Sequence, residues 1–393
     1  MTTAQTYFDL LTDPSRPPGA GLERASGQRE RKVPDPHELH DRLLEEIAYI
    51  ERKTGIPADR DLVNKLVTDA DEGVRKVLGE GGDVLLGRAE QIGLEAVVKV
   101  DGSRPVLFVE DDFVDVLAPS ASYYAVSLSR FADAVRSVCR AVGRVDDPTS
   151  NNTLGYEGTA WMVGEGIAVT NYHVLRAIAL GGHRRVGRFE GRLKTGVAVH
   201  FGHEVRGVRP DLRFPIRRVL AVGRDGDPQL RHPDVPDLNF DGLDLALLEL
   251  EPVAGRPFPE PVRTARGDDP RTRGGLATAG RTVYLVGYPG SHTGTTPDLF
   301  EMIFAGVKTF KRLAPGEIAQ APGTVPHDPQ GWIMTHDAST LGVNSGSALV
   351  DLAANGRTVL GLHVAGWHAR MNWAHAWERI STEVDGILPG VLP

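Results

Sequence analysis

The sequence predicts a mainly β C-terminal region preceded by a small helical or α+β N-terminal one. Three observations carry that reading. From residue 143 onward, short apolar runs alternate with turns rich in Gly and Pro, of which the chain holds 45 and 27, the pattern of an all-β barrel architecture. Between residues 37 and 99, apolar residues recur instead at helical spacing. The length of 393 residues exceeds one ordinary domain.

Residues 1–12 read as a short helical start. Residues 13–36, rich in Pro, Gly, Arg and Ser, offer little to bury and read as a flexible leader. Leu39, Leu43, Ile47 and Ile50 then share one face of a helix that Gly55 and Pro57 close. Leu62, Leu66, Val74 and Leu78 mark a second helix ending at Gly79 and Gly81-Gly82, and residues 84–99 suit a third. Residues 104–109 look like a strand and residues 110–112 a turn, so residues 37–120 form the expected adaptor domain. His37 and His40 flank Glu38 too closely for the His-Glu-x-x-His zinc helix and read as solvated. Residues 121–142 are expected to form one amphipathic connecting helix. Val126, Phe131, Val135, Val138 and Val142 lie on its apolar side, with Cys139 beside them as a small core residue.

Three stretches of the β region, residues 143–393, carry chemistry. Two apolar runs, residues 158–163 and 167–175, are joined by Gly164-Glu165-Gly166 and read as a hairpin with His173 at its far end. Residues 243–250 are strand-like with Asp244 at the mouth. Leu341-Gly342-Val343-Asn344-Ser345-Gly346-Ser347-Ala348-Leu349 sets Ser345 among small residues before an apolar run. A nucleophile needs such a tight turn, so that substrate can approach the backbone. Alone, each has a plain reading: a structural histidine, a capping aspartate, a turn serine. Together, each at the edge of an apolar strand, they suit acyl transfer. The imidazole takes the hydroxyl proton, and the carboxylate holds its tautomer and stabilises its charged form. Gaps of 71 and 101 residues separate the three. Residues 181–195, 223–242 and 255–280 read as polar loops. The tail at 381–388 has a capping-box start and reads as a closing helix. His368 and His375, near Trp367, Trp373 and Trp377, read as structural packing rather than metal ligands.

Thr170-Asn171-Tyr172-His173-Val174, Asp244-Leu245-Ala246-Leu247-Leu248 and Asn344-Ser345-Gly346-Ser347 resemble the three signatures of the trypsin-like (chymotrypsin-fold) serine peptidases. That family's chain order of His, Asp and Ser differs from those of subtilisins and α/β-hydrolases. Val286-Gly287-Tyr288-Pro289-Gly290 and Val359-Leu360-Gly361-Leu362-His363-Val364 are similar to a Gly-Tyr-Pro turn and a Gly-Ile-His strand of the bacterial glutamyl endopeptidase branch. The likeness spans residues 143–390. It implies two six-stranded antiparallel barrels, chymotrypsin-like, with His173, Asp244 and Ser345 as catalytic residues at their interface, and the N–H groups of Val343 and Ser345 as oxyanion hole. It further implies Val364-Ala365-Gly366 as a rail for extended substrate. Thr340, at the end of the run His336-Asp337-Ala338-Ser339-Thr340, and His363 would form a pocket for an acidic P1 side chain.

Two departures bear on activity. Val343 stands where the family usually has glycine, and Ala348 where it usually has proline. A β-branched residue resists positive φ, so the hole could be unformed at rest. Asn344 occupies the place of the aspartate of many trypsin-like zymogens, which argues against activation by a buried new N-terminus. Regulation through residues 1–142 is expected instead. The rival reading from another class is a pseudoprotease that only binds peptides.

Composition narrows partners. Formal net charge is −8, yet residues 1–120 hold 24 Asp+Glu against 15 Lys+Arg, while the remainder has 28 against 29. Nothing forms a basic nucleic-acid stripe, and the acidic excess suits a solvated surface, with docking of a regulatory protein to residues 1–120 as the alternative. No phosphate-binding glycine motif occurs, so no cofactor is expected. The single Cys139 excludes an internal disulfide. With no basic, apolar leader at the start and no membrane-length apolar run, a cytoplasmic enzyme is the expectation.

Overall fold

A computed structural model describes residues 3–12, 36–100, 102–152, 154–185, 187–235, 237–267, 275–290, 309–340, 344–367 and 371–390. Apart from Pro36, the expected leader lies outside them. Helices α1 (Thr3–Thr12), α2 (Pro36–Thr54), α3 (Arg60–Glu80) and α4 (Arg88–Val100) share a core of Tyr7, Leu43, Ile47, Leu66, Val74, Leu94 and Val97. The start of α3 is set by Asp59, whose carboxylate accepts the N–H groups of Asp61 and Leu62, satisfying donors that a helix N-terminus leaves unpaired.

Strands β1 (Leu107–Glu110) and β2 (Phe113–Val114) form a hairpin across Asp111 and Asp112, both at positive φ. The single connecting helix expected over 121–142 is instead two, α5 (Ala125–Arg130) and α6 (Ala132–Ala141). Phe131 sits between them at φ −108°, ψ 25°, pressed against Gly356. That break divides the apolar stripe. Val135, Val138 and Cys139 are buried, while Val126 is left 66% exposed.

The first barrel comprises β3 (Val142–Asp146), β4 (Tyr156–Gly164), β5 (Ile167–Thr170), β8 (Ala198–His200), β11 (Arg213–Val222) and β12 (Ala246–Leu250). They close in the antiparallel order β11-β12-β5-β4-β3-β8. Helix α7 (Tyr172–Ala177) follows β5, and then comes the antiparallel pair β6 (Ala179–Arg185) and β7 (Arg188–Leu193). The expected polar loop at 181–195 is thus largely a hairpin. Its inward face packs Phe189 against Tyr172, while its charged outward face made it read as loop. A small pair, β9 (His203–Glu204) and β10 (Gly207–Val208), precedes β11.

After the short β13 (Arg263–Thr264), the second barrel comprises β14 (Thr282–Gly287), β15 (Arg312–Gln320), β16 (Ile333–His336), β17 (Ala348–Asp351), β18 (Thr358–Trp367) and β19 (Met371–Ala376). It closes antiparallel as β14-β17-β18-β19-β16-β15, with β15 returning to β14. Alternation explains the apolar strands. Val283, Leu285, Leu349 and Leu360 fill this barrel, while Tyr284, Val286, Val350 and Leu362 join the core that includes the first. The hairpin strand β1 pairs with β15, and β13 with β18, on the outside of the closed ring.

Helix α8 (Trp377–Ile387) begins four residues before the expected start at Ser381, with no side-chain cap. Burial sets that boundary. Trp377 packs at a tilt against Trp161 of the first barrel, ring centres 4.9 Å apart, Ile380 is fully buried, and Ser381 lies inside the helix with 2% exposure. One buried ionic seam ties the pieces together. Lys311 Nζ donates to the carbonyls of Cys139 and Phe201 and to Glu204, and Arg209 links Glu204 to Asp112 of the β1–β2 turn. Burial alone pushes the Asp112 carboxyl up, but Arg209, Arg140 and Lys311 outweigh it and hold it at about 2. Among the described residues, no helix is long and apolar enough to cross a membrane.

Candidate active site

His173 lies in the first turn of α7, just past the end of β5, and Asp244 two residues before β12. Because β5 and β12 pair, with Thr170 opposite Ala246, the two residues emerge from adjacent strands at one end of the first barrel. Asp244 Oδ2 lies 2.6 Å from His173 Nδ1, and Oδ1 accepts the His173 backbone N–H at 3.0 Å. The imidazole is thereby held in the tautomer with hydrogen on Nδ1. The peptide groups of Asp244 are fixed too. Its carbonyl accepts Asn171 Nδ2 at 2.9 Å, and its N–H donates to His375 Nε2 at 3.0 Å.

The electrostatics follow from this geometry. Burial alone would lower the His173 pKa. The Asp244 charge and hydrogen bond outweigh burial, Arg184 opposes them weakly, and the net displacement is upward from 6.5. Burial would raise the Asp244 carboxyl, but His173, then His375, and the His173 N–H bring it down to about 2. His375, fully buried, is pushed down to about 4, so at neutral pH it is uncharged and its Nε2 is an acceptor.

Ser345 stands on the turn before β17. Gly346 has φ +87°, and a Cβ there would lie 2.0 Å from the Thr159 carbonyl of β4, so only glycine fits. The turn is docked on the first barrel, the Thr159 N–H donating to the Ser345 carbonyl at 2.8 Å. A Cβ at Gly158 would lie 2.7 Å from Val174 and 3.0 Å from the Ser345 carbonyl. The residue after His173 and the serine turn therefore converge on one glycine. Ser345 Oγ donates to the Val364 carbonyl at 3.4 Å. The N–H groups of Gly346 and Ser347 are committed to the carbonyls of His363 and Asn344. Val343, and with it the expected second oxyanion donor, lies outside the described residues.

The expected specificity residues gather on β18 and beside it. Thr340 Oγ1 donates to Asn372 Oδ1 at 2.5 Å, and Asn372 Nδ2 donates to the carbonyls of His336 and Ala338. Gly366 leaves room at this point, since a Cβ there would meet Asn372 Oδ1 at 2.5 Å and Thr340 Oγ1 at 3.0 Å. His363 Nδ1 lies 3.2 Å from His336 Nε2, both rings fully buried. Burial and the His173 charge depress His363 to about 3, which leaves a neutral ring with a single N–H to donate. Val364 is buried. Residues 365–367 pair with β19 on one edge, and among the described residues no strand pairs with the other.

Sequence reasoning missed Thr159, His375, Arg184 and Asn372. Only His375 drew notice, as a packing residue, and the structure gives it a specific acceptor role. The others sit in strands or polar stretches where nothing in spacing marks them. Among the described residues, no group of three or more His, Cys, Asp or Glu could hold a metal ion.

Comparison with known proteins adds the following. The trypsin-like peptidase domain family matches residues 158–362, just over half of the chain. A probable serine protease from Lysobacter enzymogenes is 27% identical over 322 residues, covering 79% of this chain and 78% of that protein. Among solved structures, the active form of the Rv3671c protease from M. tuberculosis is 20% identical, covers 65% of this chain and 84% of its own, and has a TM-score of 0.37. The VesB protease of Vibrio cholerae is 10% identical with 63% of each chain covered, also at 0.37. Structural likeness at that level decides nothing about chemistry. The narrower likeness to glutamyl endopeptidases is not carried by these matches.

Proposed function

The chain belongs to the trypsin-like peptidase family and is a serine peptidase, and from that premise we propose an endopeptidase that works through His173, Asp244 and Ser345. The observation that carries the proposal is the double contact of Asp244 with His173, beside a serine turn docked through Thr159 onto the same barrel. In this mechanism Ser345 Oγ attacks the substrate carbonyl carbon while His173 Nε2 takes its proton. The C–O⁻ that forms is held by the N–H of Ser345 together with that of Val343, donors worth about 3–4 kcal/mol each in comparable sites. The C–N bond then breaks, and the amine leaves with the proton from His173. Water, deprotonated by the same imidazole, displaces Oγ and releases the acid. Asp244 remains ionised throughout and steadies the imidazolium.

Extended substrate is proposed to pair with the edge at Val364-Ala365-Gly366 that no strand among the described residues occupies. An acidic P1 residue is supported by the pocket of Thr340, His363 and Gly366. With Nδ1 accepting from His336 Nε2, 3.2 Å away, the neutral His363 ring carries its one N–H on Nε2 for a carboxylate, and Thr340 can turn its hydroxyl from Asn372 toward the same anion. A digest of a peptide library, with Ser345→Ala as control, tests this. Cleavage after Glu and Asp is expected. Cleavage only after basic or aromatic residues would reject the acidic pocket, and no cleavage by the natural chain would reject the peptidase mechanism. A pseudoprotease is favoured by one feature only, the β-branched Val343 at the oxyanion position. Regulation is proposed to run through residues 1–142, whose helical part touches the β9–β10 turn where Arg206 Nε donates to the Lys53 carbonyl at 2.8 Å. Equal activity with and without residues 1–100 would remove that proposal.

A further inference from the structure

We propose that Arg184, on the β6–β7 hairpin, is a positioning residue that fastens together the two segments from which His173 and Asp244 project. This rests on the catalytic reading just given. The Arg184 guanidinium reaches the residue immediately before each of them. Its carbon lies 3.8 Å from the centre of the Tyr172 ring, and Nη1 donates to the Leu243 carbonyl at 2.8 Å. The same nitrogen also takes the carbonyls of Gly223 at 3.1 Å and Arg224 at 2.9 Å.

The reason for a cation here is physical. The segments at 222–224 and 243–245 are laced by the bonds Gly223 N–H to Leu245 O and Leu243 N–H to Arg224 O. That lacing turns three carbonyl oxygens toward one point. Three converging negative dipole ends in a largely buried place repel each other unless a positive charge lies among them. Arg184 supplies it, with its side chain only 14% exposed, and Asp225 completes the contact from the solvent side at 2.9 Å. Phe189 packs edge-on against Tyr172, 6.4 Å between ring centres, and closes the stack. A Lys could supply charge but not the planar face that lies on Tyr172.

The consequence is geometric. The 2.6 Å contact between His173 and Asp244 spans two chain segments, and the hairpin is the outside brace that sets their separation. The ionisable groups facing His173 are Asp244, Arg184 and His363, while His375 faces Asp244 from the second barrel. Arg184 therefore also acts as the opposing charge on the His173 imidazolium.

The test compares the full-length natural chain with Arg184→Met and Arg184→Lys, each checked for folding by circular dichroism. Peptide hydrolysis is followed across pH 5 to 9. The expected result for Arg184→Met is a kcat lower by about 100-fold, the scale of an ångström-level misplacement, with KM within about 3-fold and the acid limb of the kcat profile moved downward, because a loosened Asp244 contact lowers the His173 pKa more than loss of the weaker Arg184 charge raises it. Arg184→Lys should keep the acid limb in place while recovering only part of kcat. Added methylguanidine should restore rate to a folded Arg184→Gly chain, which covers the case of a Met variant that does not fold. An unchanged kcat and an unchanged acid limb in Arg184→Met, or no rescue of folded Arg184→Gly, would overturn the inference. A natural chain that hydrolyses no peptide would instead overturn the catalytic reading beneath it.

Discussion

Replacing Gly346 by alanine puts the seat of the proposed nucleophile under direct strain. Its φ of +87° disfavours any L side chain, at about 1–2 kcal/mol. A Cβ would also lie 2.0 Å from the Thr159 carbonyl and 2.7 Å from Thr170 Oγ1, so the turn must move by about an ångström to reach ordinary contact. Such a move breaks the Thr159 N–H bond to the Ser345 carbonyl and the Gly346 N–H bond to the His363 carbonyl, at about 1 kcal/mol each. The loss should total about 3–4 kcal/mol. Gly255→Ala is the control, since it has φ +73° and nothing within 4 Å of its added Cβ. It carries the strain without the clash, about 1–2 kcal/mol. Urea unfolding reads the stability, and hydrolysis of a peptide substrate by the folded fraction reads the geometry. Gly346→Ala should lose about 100-fold in kcat/KM, with Gly255→Ala unchanged. A Gly346→Ala chain that hydrolyses within a few-fold of the natural one would refute the idea that this docked turn positions Ser345.

Other predictions follow from the same geometry. Asp244→Asn should lower kcat by about 10⁴-fold. It should also move the acid limb of kcat/KM downward, because the charge that raises the His173 pKa is gone while burial and Arg184 still lower it. A limb that stays put would contradict that account. His375→Leu strands the Asp244 N–H and should cost about 1–3 kcal/mol in urea unfolding. His375→Gln, which can still accept, should recover most of it. Lys311→Met removes the buried cation of the seam, where Lys311 and Glu204 are 0% and 1% exposed, and leaves Arg209 as the remaining counter-charge of Glu204. It should cost about 3–5 kcal/mol, and a melting temperature unchanged from the natural chain would contradict it.

How much the sequence reveals depends on what each residue's role leaves behind in the pattern. The barrels were legible because strands buried on both faces, such as 283–286 and 348–350, must be apolar throughout, and the Gly and Pro between them mark turns. The proposed catalytic residues His173, Asp244 and Ser345 stand out in the sequence because each is a polar residue beside an apolar run. The hairpin at 179–193 was not legible. Its outward positions carry Arg185, Arg188, Glu190 and Arg192, so local composition reads as loop, and only the packing of Phe189 and Arg184 on Tyr172 reveals its role. The break at Phe131 was hidden for a similar reason. Helical periodicity runs straight through it, and the contact with Gly356 that accompanies the break lies 225 residues away. Thr159 and His375 act across the interface between barrels, and such long-range partners leave no trace in spacing.

Peptide hydrolysis by this chain requires Ser345 to be an activated nucleophile. The direct measurement is the intact mass of the full-length chain after exposure to a fluorophosphonate at neutral pH, followed by peptide mapping. One adduct on Ser345 is predicted, absent from Ser345→Ala and slowed in His173→Ala. A natural chain that stays unmodified, or carries its adduct on another residue, would contradict it.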